Sequence, residues 1–445
     1  MASRGYRNTI NRLARRDTES TLAGLRSFIN ASRWVAPTNR YVGNTVFKLQ
    51  QEIDAGQVPH PKDLSQYIAA SSLLHCTDGW SYLGKAVLAL LRGDPHRARH
   101  LAYYAELRAA TSLLATEGVG VFSTHHFALT APNVATQLAS GGGTHRFTWD
   151  VLSHWSTLRK SGELFARLVK PLGITLEQWF AGMGGSTAVA PQARAWFQQW
   201  GMDLQSFPDD RDARNISSYQ PDGLPDTWQI KAHDAVEFVK ELWTALEPVG
   251  PTRFEAIDNQ ILRASIEGVF KGRGGHDARA HPALFEAFAK SVLTGQGLSA
   301  VAQTHLLDFI TRKISPNDSL ILIRAQDSAQ ISDHGAEAVI ARAALLLRIA
   351  SGSTTDLFQA AGLKTTSLAF WSDSLGKARG LWETTGSTDA TDLWADIDPL
   401  LKDIVVFQGA FPTAQQNFHL VGEKLGHAII PLGGCERVAI WGMTA

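Results

Sequence analysis

The sequence predicts a mainly α-helical protein, a helical bundle plus a second helical domain with at most a small ancillary sheet. Three observations predict it. Long stretches carry apolar residues at three-to-four-residue spacing, and proline and glycine punctuate them where helices start and stop. The few β-like runs lack hairpin turn signals. With 445 residues, 44% hydrophobic and 19% charged, including 13 Trp and 20 Phe, the chain has ample material for a core and is not a disordered one.

Residues 1–65 open with MASRGYRNTINRLARRD and read as an N-terminal basic helical arm. This start lacks the apolar centre of a secretory signal, and Asp17 and Glu19 follow too soon for a mitochondrial presequence. Residues 66–250 read as the bundle. Trp80–Leu91 is apolar nearly all round, the pattern of a buried helix. Asp94-Pro95 then supplies an N-cap and a first-turn proline. The helix it opens has the stripe Leu101, Tyr104, Leu107, Thr111 and Leu114, and Gly118 stops it. Another is expected from Asp234, with Glu237 completing a capping box and Val236, Val239, Trp243 and Leu246 facing the core.

Pro248, Gly250 and Pro251 end that helix and mark the expected domain boundary. In residues 251–445, helices are expected at Pro282–Leu293, Val301–Lys313 and Ala336–Ala350. The runs Ser319–Ala325, Asp403–Phe407 and Glu436–Trp441 are the candidates for a small sheet.

Charge and cysteine usage narrow the function classes. Lys plus Arg and Asp plus Glu are equal at 42 each, so nucleic-acid binding has to rest on local patches, not a whole-protein basic field. Cys76 and Cys435, the two cysteines, are far apart and have no His or Cys at ligand spacing, which excludes a disulfide framework and a zinc knuckle. No stretch reaches the ~18 apolar residues of a membrane span. A cytoplasmic protein without a membrane partner is expected.

Two segments carry a family likeness. Arg214-Asn215-Ile216-Ser217-Ser218-Tyr219, taken with Ala102-Tyr103-Tyr104-Ala105 upstream, resembles HEPN domains, the helical bundles of prokaryotic toxin and defence systems. The resemblance implies RNA cleavage without a metal or other cofactor. The motif Arg stabilises the phosphate, and a His moves a proton from the ribose 2′-hydroxyl. Here Arg214 matches the Arg, Asn215 follows it, and Tyr219 stands where the His is expected. A phenol with a pKa near ~10 is a poor base at neutral pH, so binding survives this change better than cleavage. The roles implied are Arg214 on the phosphate, with Asn215 and Tyr219 orienting it. A homodimer through the bundle helices is also implied.

Arg92, His96, Arg97, Arg99 and His100 cluster around the helix start at Asp94. Cations there oppose the helix dipole, a conflict that a bound RNA or DNA phosphate relieves. Acids nearby, Glu106 among them, are the alternative source of neutralisation. His96 and His100 are four apart, but the Arg-Ala-Arg between them disfavours a metal, and none is expected. His125, His126 and His145 are candidate replacement bases. Lys271–His281 is a basic glycine-rich loop without phosphate-loop order, and Pro221–Lys231 lacks the strands of a nuclease site. Two rival readings remain. One is a non-catalytic scaffold subunit with protein partners. The other is a small-molecule enzyme near Asp333-His334 or His276-Asp277.

Overall fold

The segment Arg92-Gly93-Asp94 shows how local chemistry lays out the core. The apolar stretches on either side of it have to double back to bury their surfaces. The computed structural model describes residues 4–139, 142–200, 230–327, 335–384, 386 and 389–443. Helices α1 (Arg4–Arg12), α2 (Arg15–Ala23), α3 (Arg26–Asn30) and α4 (Thr45–Asp54) lead in. Tyr6, Ile10, Leu22, Leu25 and Ile29 are buried in the main core, so this basic segment is packed into the body.

Helices α5 (Pro61–Leu91) and α6 (Pro95–Thr116) form the hairpin. Gly93 turns the chain at φ 76°, a left-handed value that favours glycine, and the Asp94 amide donates to Ala89 O at 3.0 Å. The Asp94 carboxylate then accepts from the Arg97 amide at 2.9 Å, capping α6 as its sequence predicts.

A three-stranded antiparallel sheet follows, β1 (Val119–Phe122), β2 (His125–Ala131) and β3 (Val134–Leu138), in that order. Its inner residues Phe122, Phe127 and Leu129 join Tyr41, Leu49 and Ile68 in a small second core. The three runs expected to be β-like are helical instead. They lie in the helices Leu320–Arg324, Asp398–Ala410 and Glu436–Met443.

The middle of the chain supplies α7 (Thr144–Ser156), α8 (Arg159–Leu168), α9 (Leu176–Trp179) and α10 (Ser186–Trp200). Next come α11 (Ala232–Ala245), α12 (Glu255–Gly274), α13 (Pro282–Leu293), α14 (Ala300–Ile310) and α15 (Leu320–Arg324). The rest is α16 (Gly335–Ala360), α17 (Ala369–Arg379), α18 (Asp398–Ala410), α19 (Phe418–Leu432) and α20 (Glu436–Met443). Helix α11 starts after Lys231 without a side-chain cap, so Asp234 sits in its first turn and not in a capping box. Its charge still favours that end of the helix dipole.

Helix α16 organises the core. It is buried almost continuously from Gly335 to Thr354 and packs along both α5 and α6. Segments on either side of the expected divide at residue 250 therefore share one hydrophobic core. Small hydroxyls let the three helices approach closely while staying hydrogen-bonded. Trp80 Nε1 donates to Ser351 Oγ at 3.0 Å, Thr116 and Ser353 hydroxyls pair at 2.7 Å, and Ser112 Oγ donates to Ser72 O at 2.7 Å.

Two buried ion pairs fix the register of α16. Arg342 Nε donates to Glu106 Oε1 at 3.0 Å across to α6. Arg348 reaches α12, where its Nε and Nη2 grip Asp258 Oδ1 and Oδ2 at 2.9 and 2.8 Å. Nη2 also donates to Leu168 O at 2.9 Å, and the guanidinium lies 4.8 Å over the Phe254 ring. Asp258 Oδ2 further accepts from the Lys170 amide at 3.1 Å and from Thr252 Oγ1 at 3.0 Å. With both side chains fully buried, losing one charge strands the other. Arg348→Met is expected to lower stability by about 3–5 kcal/mol in urea unfolding. Arg348→Met combined with Asp258→Leu is expected to recover part of that loss.

Candidate functional site

Adjacent tyrosines on a helix point about a third of a turn apart, so Tyr103 and Tyr104 serve different surfaces. Tyr103 is buried and Tyr104 half-exposed. Because α5 and α6 run antiparallel, Tyr82 comes opposite Tyr104 and stacks on it, with ring centroids 5.4 Å apart and planes inclined by 26°. Lys85, one turn further along α5, holds its ammonium 5.0 Å over the Tyr82 ring, within cation–π range. His100, one turn before Tyr104, meets that ring edge-on at 5.1 Å.

Helix α7 adds the last wall. His145 stacks on Tyr103 at 5.5 Å and meets Tyr104 edge-on at 6.0 Å. Tyr103 OH lies 2.7 Å from His145 Nδ1, and Trp149 Nε1 donates to the same phenol oxygen at 3.3 Å. The indole N–H donates; between the phenol and His145 Nδ1 the donor depends on the imidazole tautomer. The helices that carry these rings also bear the exposed cations Lys85, Arg97 and Arg146, the last 3.8 Å from Asp150, and Arg92 is exposed just after α5.

Further along the same face, Arg108 Nη1 contacts His75 Nδ1 at 2.9 Å. Burial first, and the Arg108 charge second, push the His75 pKa down to about 3, so this imidazole stays neutral and accepts. Asp78 lies 3.8 Å from Arg108, and burial raises its pKa.

The residues singled out from sequence divide into three groups. Arg214, Asn215, Tyr219, Asp333 and His334 lie outside the described residues. Arg92, His96, Arg97, Arg99 and His100 do gather where α5 ends and α6 begins, with Arg92 and Arg97 exposed. Glu106 turns inward and pairs with Arg342 at 3.0 Å. Asp94 is the acid at this helix start, and it caps the Arg97 amide.

The other histidines disperse. His125 faces Gln50 on the surface at 2.9 Å. His126 is fully buried, stacked on Phe147 at 3.6 Å with Nε2 near Gly142 O at 2.8 Å. His276 and His281 lie 4.6 Å apart in the exposed loop beside α12. Among the described residues no group of acids, His and Cys is arranged to hold a metal ion, and no helix is long and apolar enough to cross a membrane.

Tyr82 and Lys85 escaped sequence reading because Trp80–Leu91 registers as uniformly apolar. The available signal was that both fall on one helical face, three residues apart. Comparison of the chain with protein-family models, curated proteins and solved structures finds no match.

His126 gives this region a pH signature. Burial lowers its pKa from 6.5 to about 4, so the folded protein keeps it neutral while the unfolded chain takes a proton below about 6.5. Stability is therefore expected to fall as pH drops from about 6.5 to about 4, by up to about 3 kcal/mol from this residue. Urea unfolding at either end of that window should show a correspondingly smaller difference in His126→Gln.

Proposed function

We propose that this chain binds single-stranded RNA across the face formed by Tyr82, His100, Tyr104 and His145. The observation that supports this most is the Tyr82–Tyr104 stack with Lys85 above it and exposed arginines at 92, 97 and 146 on or beside the helices that carry these rings. Single strands are held by aromatic faces that stack with bases and by cations that follow the phosphates. Such a local patch suits a chain whose charges otherwise balance.

The likeness to HEPN domains extends the reading to a prokaryotic defence or toxin-type system. In that form Arg214 engages the phosphate, Asn215 and Tyr219 orient it, and cleavage needs no metal. His145, held by Tyr103, and His100 are the imidazoles on this face. A second reading, a scaffold subunit, is favoured by a different observation: Val42, Phe47 and Val58 project into solvent around α4.

Fluorescence anisotropy of a labelled oligouridylate in EDTA tests the first reading. Tyr104→Ala should raise Kd roughly 5- to 100-fold, given ~1–3 kcal/mol per stacked base. Lys85→Glu should weaken binding and flatten its salt dependence. A gel of the same mixtures reports cleavage. Absence of binding by the wild-type protein, or binding untouched by both substitutions, would exclude this face and favour the scaffold.

A further inference from the structure

A cleft of about 270 Å³ opens between the end of α8, the loop leading into α12, and helices α16 and α20, and the Arg348 side chain lines it. This arginine is 1% exposed. Its Nε–H and both Nη2 hydrogens are committed to Asp258 and Leu168 O. The two Nη1 hydrogens have no partner among the described residues. Gly352, one turn along α16, keeps that side open, since a Cβ there would stand 2.7 Å from Nη1.

The other polar side chains of the cleft are Thr252, Thr355, Asp356, Gln359 and Lys170. Thr252 donates to Asp258 at 3.0 Å, and Thr355 donates to Ser351 O at 2.9 Å and Gly442 O at 3.0 Å, so both hydroxyl protons are used. Asp356 at the rim is held by Arg15 and Arg167 at 3.2 and 2.9 Å. Lys170, by contrast, lines the cleft with no carboxylate within ion-pair distance of its ammonium among the described residues. The spare capacity of Arg348 and Lys170 is thus all donor.

Charge decides what kind of acceptor fits. Arg348 is paired with Asp258, and Asp356 is held by Arg167 and by Arg15, which also pairs with Glu19 and Glu117. Lys170 adds a positive charge with no ion-pair partner among the described residues. A single negative charge matches this, and a phosphate dianion does not. The walls are Leu168, Pro251 and Phe254, with bare glycine backbone between them, which suits a flat or branched apolar body.

We propose that this cleft binds a small organic monocarboxylate. The carboxylate sits between Arg348 Nη1 and Lys170 Nζ, and its apolar body lies against Phe254 and Pro251. This goes beyond the RNA reading and does not depend on it.

Isothermal titration of the full chain with phenylacetate, benzoate and isovalerate tests the proposal, with phenylacetamide and inorganic phosphate as comparators. At least one carboxylate should bind, and should do so in preference to phosphate; phenylacetamide should not bind. Lys170→Ala, a half-exposed position whose backbone contacts are retained, should weaken binding roughly 10- to 100-fold, as for a lost charge-assisted hydrogen bond. Gly352→Ala should abolish binding by displacing Nη1, with an unchanged circular-dichroism spectrum as a check on the fold. Silence from all three carboxylates, preference for phosphate, or equal affinity in Lys170→Ala would overturn the proposal.

Discussion

Two arginines carried inward on a buried helix constrain the whole arrangement. Helix α16 cannot enter the core unless Arg342 and Arg348 each find an anion there, because an unpaired buried charge costs several kcal/mol. Glu106 on α6 and Asp258 on α12 meet that demand at 3.0 and 2.8 Å. The hydroxyl contacts of α16 with α5 and α6 then fall into line. With α16 set, the α5–α6 hairpin has one face in the core and the other free, and the free face carries Tyr82, Lys85, His100 and Tyr104.

The same constraint shapes both proposed binding surfaces, though in different ways. The tyrosine face is assembled from what α5 and α6 leave outside, so its chemistry is aromatic and cationic. The Arg348 cleft is assembled from what the buried pair leaves unfinished. Arg348 needs three of its five hydrogens for Asp258 and Leu168, and the remaining two look into a space that Gly352 keeps clear.

Much of the fold was legible because helix signals are local. Asp94-Pro95 and the stop near Gly118 describe α6 to within a few residues, whereas the apolar run Trp80–Leu91 marks only the C-terminal part of α5, which begins at Pro61. The sheet was not legible. In GVGVFSTHHFALTAPNVATQL the turns use Ser123 and Asn133 at positive φ, and the alternation is blurred by burial on both faces of β2. The opposite error at Asp403–Phe407 has the mirror-image cause. Short apolar runs do not distinguish strand from helix without their neighbours. The site was half legible. The cations around Asp94 were visible in order, whereas Tyr82 and His145 reach Tyr104 only through tertiary packing. Glu106 looked like a surface counter-ion and is a core one, because nothing near it in sequence reveals Arg342.

The partners of α16 also lie far from it along the chain. Arg342 meets Glu106 across 236 residues, and Ser351 meets Trp80 across 271. At a synthesis rate of ~5–20 residues per second, the ribosome needs roughly 10–50 s between delivering α6 and delivering the helix that covers it. During that interval a newly made α5–α6 hairpin holds Glu106 and a wide apolar surface open to the cell. Apolar surface left uncovered during synthesis is the condition in which aggregation competes with folding.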